Sequence, residues 1–203
     1  MPFRVAVLIS GEGTNLQAIL DTVHGRDGIE VVGVASSRPD AGGLARAEGA
    51  GVETAVFAAE GDRHGRDRAL ADWIDERAVD LVVLAGFMEL LGPEFIGRFR
   101  GRIVNVHPSL LPAFPGIRPI EEALEHGVRV MGVTVHFVDE GVDSGPIVLQ
   151  EAFELSYPSD IAAIEERVHG IEHRLLPRAV RLIAAGKVHV DPDNPRLVQI
   201  DEP

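Results

Sequence analysis

Cysteine is absent from the sequence, and lysine occurs once, as Lys187. Without cysteine the chain forms no disulfide and offers no thiol nucleophile, and a cytoplasmic location is the default expectation for such a chain. The single lysine lies in a polar C-terminal segment, which argues against Schiff-base catalysis. Two common routes to covalent catalysis are therefore disfavoured.

Long hydrophobic runs and positive charge are also scarce. No stretch of about eighteen apolar residues occurs, so the sequence predicts no membrane span, and the first residues lack the apolar region and cleavage site of a signal peptide. The formal net charge of −13 argues against a nucleic-acid partner. We therefore expect small-molecule substrates, with any anionic group held by backbone N–H groups and arginine.

The apolar residues that are present predict an α/β fold in one domain. The chain has 203 residues, of which 45% are apolar, enough for a substantial core. Apolar runs at residues 4–9, 29–36 and 80–85 predict strands, and they alternate with segments whose apolar residues recur at helical spacing. This alternation indicates a doubly wound, mostly parallel sheet of Rossmann type. Residues 130–138 and 146–153 add an antiparallel pair. A helix begins at Ser159-Asp160, and Pro177 kinks or ends it.

A Gly-rich loop follows the first strand. Gly11 and Gly13 separate that strand from a helix, an arrangement that offers backbone donors and a helix N-terminus to a phosphate. Thr14 either caps the helix or holds the phosphate through its hydroxyl. Neither a Gly-x-Gly-x-x-Gly nor a Gly-Lys-Ser/Thr motif is present. A tight first turn with a capped helix is the alternative interpretation.

A second polar cluster follows the apolar run at residues 103–106. Asn105 and His107 are two residues apart, so their side chains share one face of a strand that ends in a proline-punctuated loop. An amide donor and an imidazole at the carboxyl end of a strand can polarise a carbonyl and move a proton. Asp143 stands in a later Gly-rich loop, which by itself is typical of a turn.

Several other side chains are given structural interpretations. Arg66 and Arg68 are predicted to be solvated, and His136 to be a satisfied residue of a strand. Met88 and Leu91 either line a flat pocket or belong to the core, which is the commoner fate. The i,i+4 pair His169 and His173 suggests zinc, but no third or fourth ligand is evident, so a solvated or supporting role is preferred.

Four sequence motifs, taken together, resemble the folate-dependent formyltransferase superfamily. Residues 105–112 read Asn-x-His-x-Ser-Leu-Leu-Pro, and residues 141–146 read Gly-Val-Asp-Ser-Gly-Pro. Residues 10–18 and 84–88, the latter Leu-Ala-Gly-Phe-Met, narrow the likeness to the branch that acts in purine biosynthesis. The likeness covers nearly the whole chain, and the joint occurrence of the motifs is highly specific.

The resemblance implies formyl transfer from 10-formyltetrahydrofolate, as co-substrate, to the amine of 5'-phosphoribosylglycinamide, without a metal. Asn105 and His107 are expected to stabilise the oxyanion, where one well-placed donor lowers the barrier by about 3–4 kcal/mol. Asp143 is expected to favour the imidazolium form of His107 and to relay the amine proton. A monomer or homodimer of one formyltransferase domain is expected, with a phosphate-binding half (about 4–100), a catalytic and folate-binding half (101–186) and a terminal hairpin (187–203).

The resemblance also assigns binding residues. The ribonucleotide is expected to contact Gly13, Thr14, Asn15 and Glu172, the last at its amine end. The folate is expected to contact Arg63, in a loop, together with Met88, Glu89, Leu90, Leu91, Asn105, Asp139, Glu140, Gly141, Val142 and Asp143. Glu89 departs from the relatives, which often carry a basic residue there. Residues 117–120 depart as well, and their Pro-Ile resembles the methionyl-tRNA branch.

Three alternatives remain open. The first is a sibling formyltransferase that acts on methionyl-tRNA or on a sugar-nucleotide amine. The net charge and the absence of a basic second domain argue against the tRNA version. A formyltetrahydrofolate hydrolase would carry an extra N-terminal domain, whereas this sequence starts at the first strand. A non-catalytic Rossmann-type binding module would not need Asn105, His107 and Asp143 together, and a dinucleotide binder would want an acid where Ser36-Ser37-Arg38 closes the second strand.

Overall fold

The computed structural model describes residues 1–58 and 61–201. The strands in this part of the chain are β1 (Phe3–Ile9), β2 (Ile29–Ser36), β3 (Thr54–Val56), β4 (Leu81–Leu84), β5 (Ile103–His107), β6 (Val130–Phe137), β7 (Ile147–Glu154), β8 (Val188–Val190) and β9 (Val198–Ile200). The helices are α1 (Thr14–Thr22), α2 (Gly42–Gly49), α3 (Arg63–Glu76), α4 (Pro93–Arg98), α5 (Pro119–Glu125) and α6 (Ile161–Ala184).

Strands β1 to β7 form one mixed sheet in the order β3-β2-β1-β4-β5-β6-β7, and β8 pairs with β9. The predicted α/β class, mostly parallel with an antiparallel C-terminal addition, is confirmed. The chain divides into two compact units, residues 1–105 and 106–203. The division into a phosphate-binding half, a catalytic half and a terminal hairpin stays a prediction.

The first unit is built on parallel strand pairs. Strand β1 pairs with β2 and with β4, and β4 pairs in turn with β5, all in parallel. The run Val5 to Ile9 is fully buried, as expected of a strand that is covered on both faces by helices. Leu16 and Ile19 of α1 and Leu70 and Ile74 of α3 supply buried faces of those helices. The predicted central position of the strand at residues 80–85 is confirmed.

The second unit pairs β6 with β7 in antiparallel fashion. Val133 and Val135 of β6 are fully buried, and α6 contributes a buried stripe that includes Leu176, Ala179 and Val180. Strands β8 and β9 form the antiparallel terminal hairpin that the sequence predicts. The side chain of Asp160 accepts a hydrogen bond from the Ala162 N–H, so the predicted start of α6 is also confirmed.

Pro177 was predicted to kink or to end this helix, and the second alternative is wrong, because α6 continues to Ala184. A proline inside a helix removes one hydrogen bond and costs about 3 kcal/mol. Buried residues recur with helical spacing on both sides of the proline, from Val168 to Val180. Burial of this stripe offsets the cost locally, because several large apolar side chains would otherwise be exposed to water.

Among residues 1–58 and 61–201, every helix is either too short or too polar to cross a membrane.

Candidate active site

Asn105 and His107 lie on one face of β5, which the structure extends by one residue beyond the predicted strand. His107 is the last residue of the strand. Alternation along the strand places the two side chains on the same side, with His107 buried and Asn105 half-buried. The predicted juxtaposition of an amide and an imidazole therefore holds at the strand's carboxyl end.

Both ring nitrogens of His107 face protein atoms. Nε2 lies 2.8 Å from the Phe114 carbonyl oxygen, which only accepts hydrogen bonds, so Nε2 carries a hydrogen. Nδ1 lies 3.5 Å from Oδ2 of Asp143. A carbonyl on one nitrogen and a carboxylate near the other fix the orientation of the ring.

Asp143 is held by three groups in the second unit. Its Oδ2 accepts a hydrogen bond of 2.8 Å from the Gly116 N–H in addition to facing His107. Its Oδ1 lies 3.6 Å from Nε2 of His136. Asp143 has φ +50° and Phe114 has φ +51°, a left-handed conformation that is uncommon for residues other than glycine. Such outliers cluster at sites where the surroundings fix an unfavourable backbone for function.

His136 completes the cluster around the acid, and the sequence did not predict this role. Its predicted status as a satisfied strand residue is correct for Nδ1, which lies 2.9 Å from the Phe137 carbonyl oxygen and therefore donates to it. Burial lowers the pKa of His136 by more than that carbonyl and Asp143 raise it, so the ring is neutral near pH 7. A neutral ring with its hydrogen on Nδ1 presents a lone pair to Asp143.

The segment after β5 is anchored by buried hydroxyl groups. Thr134 of β6 donates from Oγ1 to the Ser109 carbonyl (2.7 Å) and accepts from the Leu111 N–H (3.1 Å). Gln150 of β7 donates from Nε2 to both the Leu111 carbonyl and Thr134 Oγ1. Ser109 is itself fully buried and donates to the Ala113 carbonyl. No local sequence pattern predicts the contacts of Thr134 and Gln150, because they join residues that are far apart in the chain.

The loop of residues 139–144, which is expected to contact the folate, is braced by hydrogen bonds between its own residues. Oδ1 of Asp139 accepts from Ser144 Oγ at 2.7 Å and from the Gly141 N–H at 3.1 Å. Glu140, Gly141 and Val142 at its tip are exposed. A loop braced at its base and exposed at its tip can present Asp143 while offering its outer residues to a ligand.

The Gly-rich loop of the first unit leads into α1 as predicted, but with a different cap. Gly13, not Thr14, occupies the N-cap position with φ +73°, and no side chain caps the helix. A Cβ on Gly13 would lie 2.6 Å from the Gly43 Cα, so only glycine fits. Thr14 is the first helical residue and is exposed, which leaves its hydroxyl at the surface, while Asn15 is buried. The capping role predicted for Thr14 is therefore wrong.

Hydrogen bonds hold this loop from several sides. Ser10 Oγ accepts from the Met88 N–H (2.8 Å) and shares a hydrogen bond with Ser37 Oγ (2.7 Å). Arg46 donates from Nε to the Glu12 carbonyl (2.7 Å). Because the first N–H groups of a helix have no intrahelical acceptor, the start of α1 retains donors suited to an anion.

The loop after β4 differs from the prediction in its side chains. Met88 is 73% exposed and Leu90 is 61% exposed, so the core assignment of Met88 is wrong, whereas Leu91 is buried as expected. Arg63 is the first residue of α3 and not a loop residue, because Asp62 caps that helix through the Gly65 N–H, and its side chain is exposed.

Arg66 was predicted to be solvated, and that prediction is wrong. Only 1% of its side chain is exposed, and it forms ion pairs with Asp67 and Glu89. Arg68, two residues later, is exposed as predicted. Arginines at this spacing lie on different faces of a helix, which a count of charges does not reveal.

The remaining predicted residues lie on α6. Glu172 is buried, at 6% exposure, and His169 is exposed. The rings of His169 and His173 stack with centroids 6.2 Å apart. Burial, and after it the neighbouring His169, lower the pKa of His173. No group of three or more His, Asp or Glu side chains in the described part of the chain is placed to hold a metal ion.

Comparison with known proteins adds to this geometry. A sequence profile described as "Formyl transferase" matches residues 3–180. A curated relative, phosphoribosylglycinamide formyltransferase of Haemophilus influenzae, is 40% identical over 190 residues, which is 92% of this chain and 90% of that protein. The trifunctional purine biosynthetic protein adenosine-3 of Drosophila melanogaster is 43% identical over 195 residues, or 94% of this chain. The chain spans only 14% of the length of that trifunctional protein.

A solved structure is similar over nearly its whole length. Glycinamide ribonucleotide transformylase 1 of Symbiobacterium toebii superimposes with a TM-score of 0.93 at 46% sequence identity. The match covers 99% of this chain and 95% of that one. Likeness in fold and in sequence thus extends over both units of the chain.

Proposed function

The chain belongs to the formyl transferase family, and we propose that it transfers the formyl group of 10-formyltetrahydrofolate to the amine of 5'-phosphoribosylglycinamide in purine biosynthesis. Relatives named phosphoribosylglycinamide formyltransferase match nearly the full length of the chain, which supports this acceptor. The observation that carries the proposal is the buried contact between His107 and Asp143. His107 lies two residues after Asn105 on the same strand.

The reaction is an acyl transfer between two nitrogens. The amine nitrogen of the ribonucleotide attacks the formyl carbon and forms a tetrahedral intermediate with a negatively charged oxygen. The carbon–nitrogen bond to the folate then breaks, the amine loses a proton, and the folate nitrogen gains one. No enzyme nucleophile is needed, in keeping with a sequence that has neither a cysteine nor a Gly-x-Ser-x-Gly elbow.

The chain supplies groups that match each charge in this sequence of steps. Asn105 can donate its amide N–H to the oxyanion. His107 in its imidazolium form can add a charged donor. Its contact with Asp143 (3.5 Å) is longer than its contact with the Phe114 carbonyl (2.8 Å), so it is the easier of the two to exchange for a substrate oxygen. Asp143 then accepts the amine proton, directly or through water, and passes it toward the folate nitrogen.

The binding residues follow the same assignment. Gly13, Thr14 and Asn15 at the start of α1 hold the phosphate with backbone N–H groups, and the buried Glu172 meets the amine end of the ribonucleotide. The folate contacts the segment from Met88 to Leu91 and the exposed tip at Glu140 to Val142. The exposed apolar side chains of Met88 and Leu90 suit a flat pterin ring.

An absorbance assay tests the proposed function. The deformylation of 10-formyltetrahydrofolate is followed with and without 5'-phosphoribosylglycinamide. We expect turnover only when the acceptor is present, because the acceptor amine is the nucleophile in the proposed reaction. Deformylation at the same rate without acceptor would indicate a hydrolase, and folate binding without turnover would indicate another amine acceptor.

The contact between Gly116 and Asp143 gives a further prediction. Gly116 has φ +100°, and a Cβ there would meet nothing within 4 Å, so alanine strains the backbone without a clash. We expect Gly116→Ala to lower kcat about tenfold, because the strained loop withdraws a hydrogen bond from Asp143, which is a loss of about 1.4 kcal/mol in the transition state. Steady-state kinetics and thermal melting measure the effect.

Gly127→Ala is the matched control for this change. Gly127 also has a positive φ, +67°, with nothing within 4 Å of an added Cβ, but it follows the C-cap of α5 and its N–H donates to the Leu124 carbonyl. The Tm of Gly127→Ala should fall by about as much as that of Gly116→Ala, while its kcat stays near the wild-type value. Equal kinetic effects of the two substitutions would show that Gly116 matters only for folding.

A further inference from the structure

Arg66 and Asp67, adjacent residues on α3, form a buried cluster with the loop of residues 87–92. The Arg66 guanidinium donates from Nη1 to Glu89 Oε2 at 3.0 Å and from Nη2 to the Leu90 carbonyl at 2.9 Å. It also contacts Asp67 Oδ1 at 2.6 Å. The other carboxylate oxygen, Asp67 Oδ2, accepts from the Gly92 N–H at 2.7 Å.

These contacts tie the 87–92 loop to α3 at three points. The carboxylate at position 89, the carbonyl at 90 and the amide at 92 each have a partner on α3. A fourth contact joins the Met88 N–H to Ser10 of the Gly-rich loop. Loops rarely carry so many defined contacts unless their conformation matters, because each fixed residue costs about 1–2 kcal/mol of conformational entropy.

The tethers act on the backbone and on Glu89, while two apolar side chains of the loop, those of Met88 and Leu90, point outward. Met88 and Leu90 are 73% and 61% exposed. Large apolar side chains that a fixed backbone holds in water contribute no hydrophobic free energy to folding. Their placement therefore indicates a surface prepared for a ligand. Prior fixing of such a surface raises affinity, because the entropy of ordering is lost on folding and not on binding.

We propose that Arg66, acting through Glu89 and Leu90, is a positioning residue that holds the 87–92 loop ready for the folate. This proposal rests on the proposed function, which places the folate against residues 88–91. It also gives a physical reason for an acidic residue at position 89: a basic side chain there would face the buried Arg66 cation, whereas Glu89 neutralises it.

Glu89→Ala is the variant that tests the tether. The Glu89 side chain is 42% exposed, so its removal breaks one of the three contacts with α3 and leaves the buried Arg66–Asp67 pair intact. We expect the KM for 10-formyltetrahydrofolate and the Kd for folic acid to rise about tenfold, with kcat and the KM for the ribonucleotide changed less than threefold. Glu89→Gln, which keeps the hydrogen bond to Arg66, should restore part of the affinity.

A second readout is independent of folate. Deuterium uptake by a peptide spanning residues 86–93 should rise in Glu89→Ala, because the Gly92 N–H and its neighbours lose protection when the loop opens. Glu94→Ala is the matched control, since Glu94 is 74% exposed and forms its ion pair with the exposed His64. Its KM and its deuterium uptake should match those of the wild type.

The outcomes separate the proposal from the assignment of function. Raised uptake with a raised KM supports the positioning role. Unchanged uptake, or raised uptake with an unchanged folate KM, overturns it even if the wild type transfers formyl groups. A wild type that neither binds folic acid nor turns over overturns the proposed function and with it the folate role of the loop, whatever the uptake shows.

Discussion

Replacing Asp143 with asparagine should lower kcat by about 10² to 10⁴, the range that general acid–base groups contribute. Asparagine has the same shape, tolerates the left-handed backbone at φ +50° and keeps an oxygen for the Gly116 N–H. What it removes is the negative charge 3.5 Å from His107 Nδ1 and the acceptor for the amine proton. KM for either substrate should change only a few-fold, because neither group is needed to bind the ground state.

Asp191→Asn is the control for this prediction. Asp191 also accepts backbone hydrogen bonds in a turn, from Asp193 and Asn194, but in the terminal hairpin. Its kinetics should be those of the wild type, and both variants should melt near the wild-type temperature. Near-normal turnover of Asp143→Asn would refute the argument that the charge of Asp143 supports His107.

The structure explains why the central motif could be predicted from sequence. Asn105 and His107 lie two residues apart on a short apolar strand, so their shared face follows from the geometry of any strand. The continuous apolar runs of β1 and β4 likewise predict strands buried on both sides. Local periodicity carries both inferences, and both were correct.

Contacts between distant residues could not be predicted in the same way. His136 faces Asp143 across a loop, and the Phe114 carbonyl fixes the His107 ring. Phe114 contributes a backbone atom, which no residue type reveals. His136 stands in an alternating strand sequence, where a histidine is usually only a buried hydrogen-bonding residue.

Tertiary packing also overrode local rules. Proline normally ends a helix, yet Pro177 stays inside α6 because the buried stripe continues beyond it. Met88 follows the most apolar strand of the sequence but is 73% exposed, since hydrogen bonds at Ser10 and α3 fix the loop with that side chain outward. The departure at Met88 falls within the proposed folate loop, as expected where function rather than core packing sets the conformation.

The burial of Arg66 leads to the largest expected change in stability. Arg66→Met should lower the free energy of unfolding by about 3–5 kcal/mol, because it leaves the Asp67 carboxylate, 8% exposed, without its cation. Arg68→Met, two residues along α3, removes an exposed arginine and should cost at most about 0.5 kcal/mol. Urea unfolding of both variants measures the difference as a shift of the midpoint at an unchanged slope.

A double variant distinguishes an uncompensated charge from lost packing as the cause. Asp67→Asn added to Arg66→Met removes the buried negative charge but keeps an oxygen for the Gly92 N–H. If the isolated carboxylate causes the loss, the second substitution should recover most of it, because a buried charge without a partner costs more than a buried amide. If the loss persists in the double variant, the methylene packing of Arg66 and its bond to Leu90 stabilise the first unit instead.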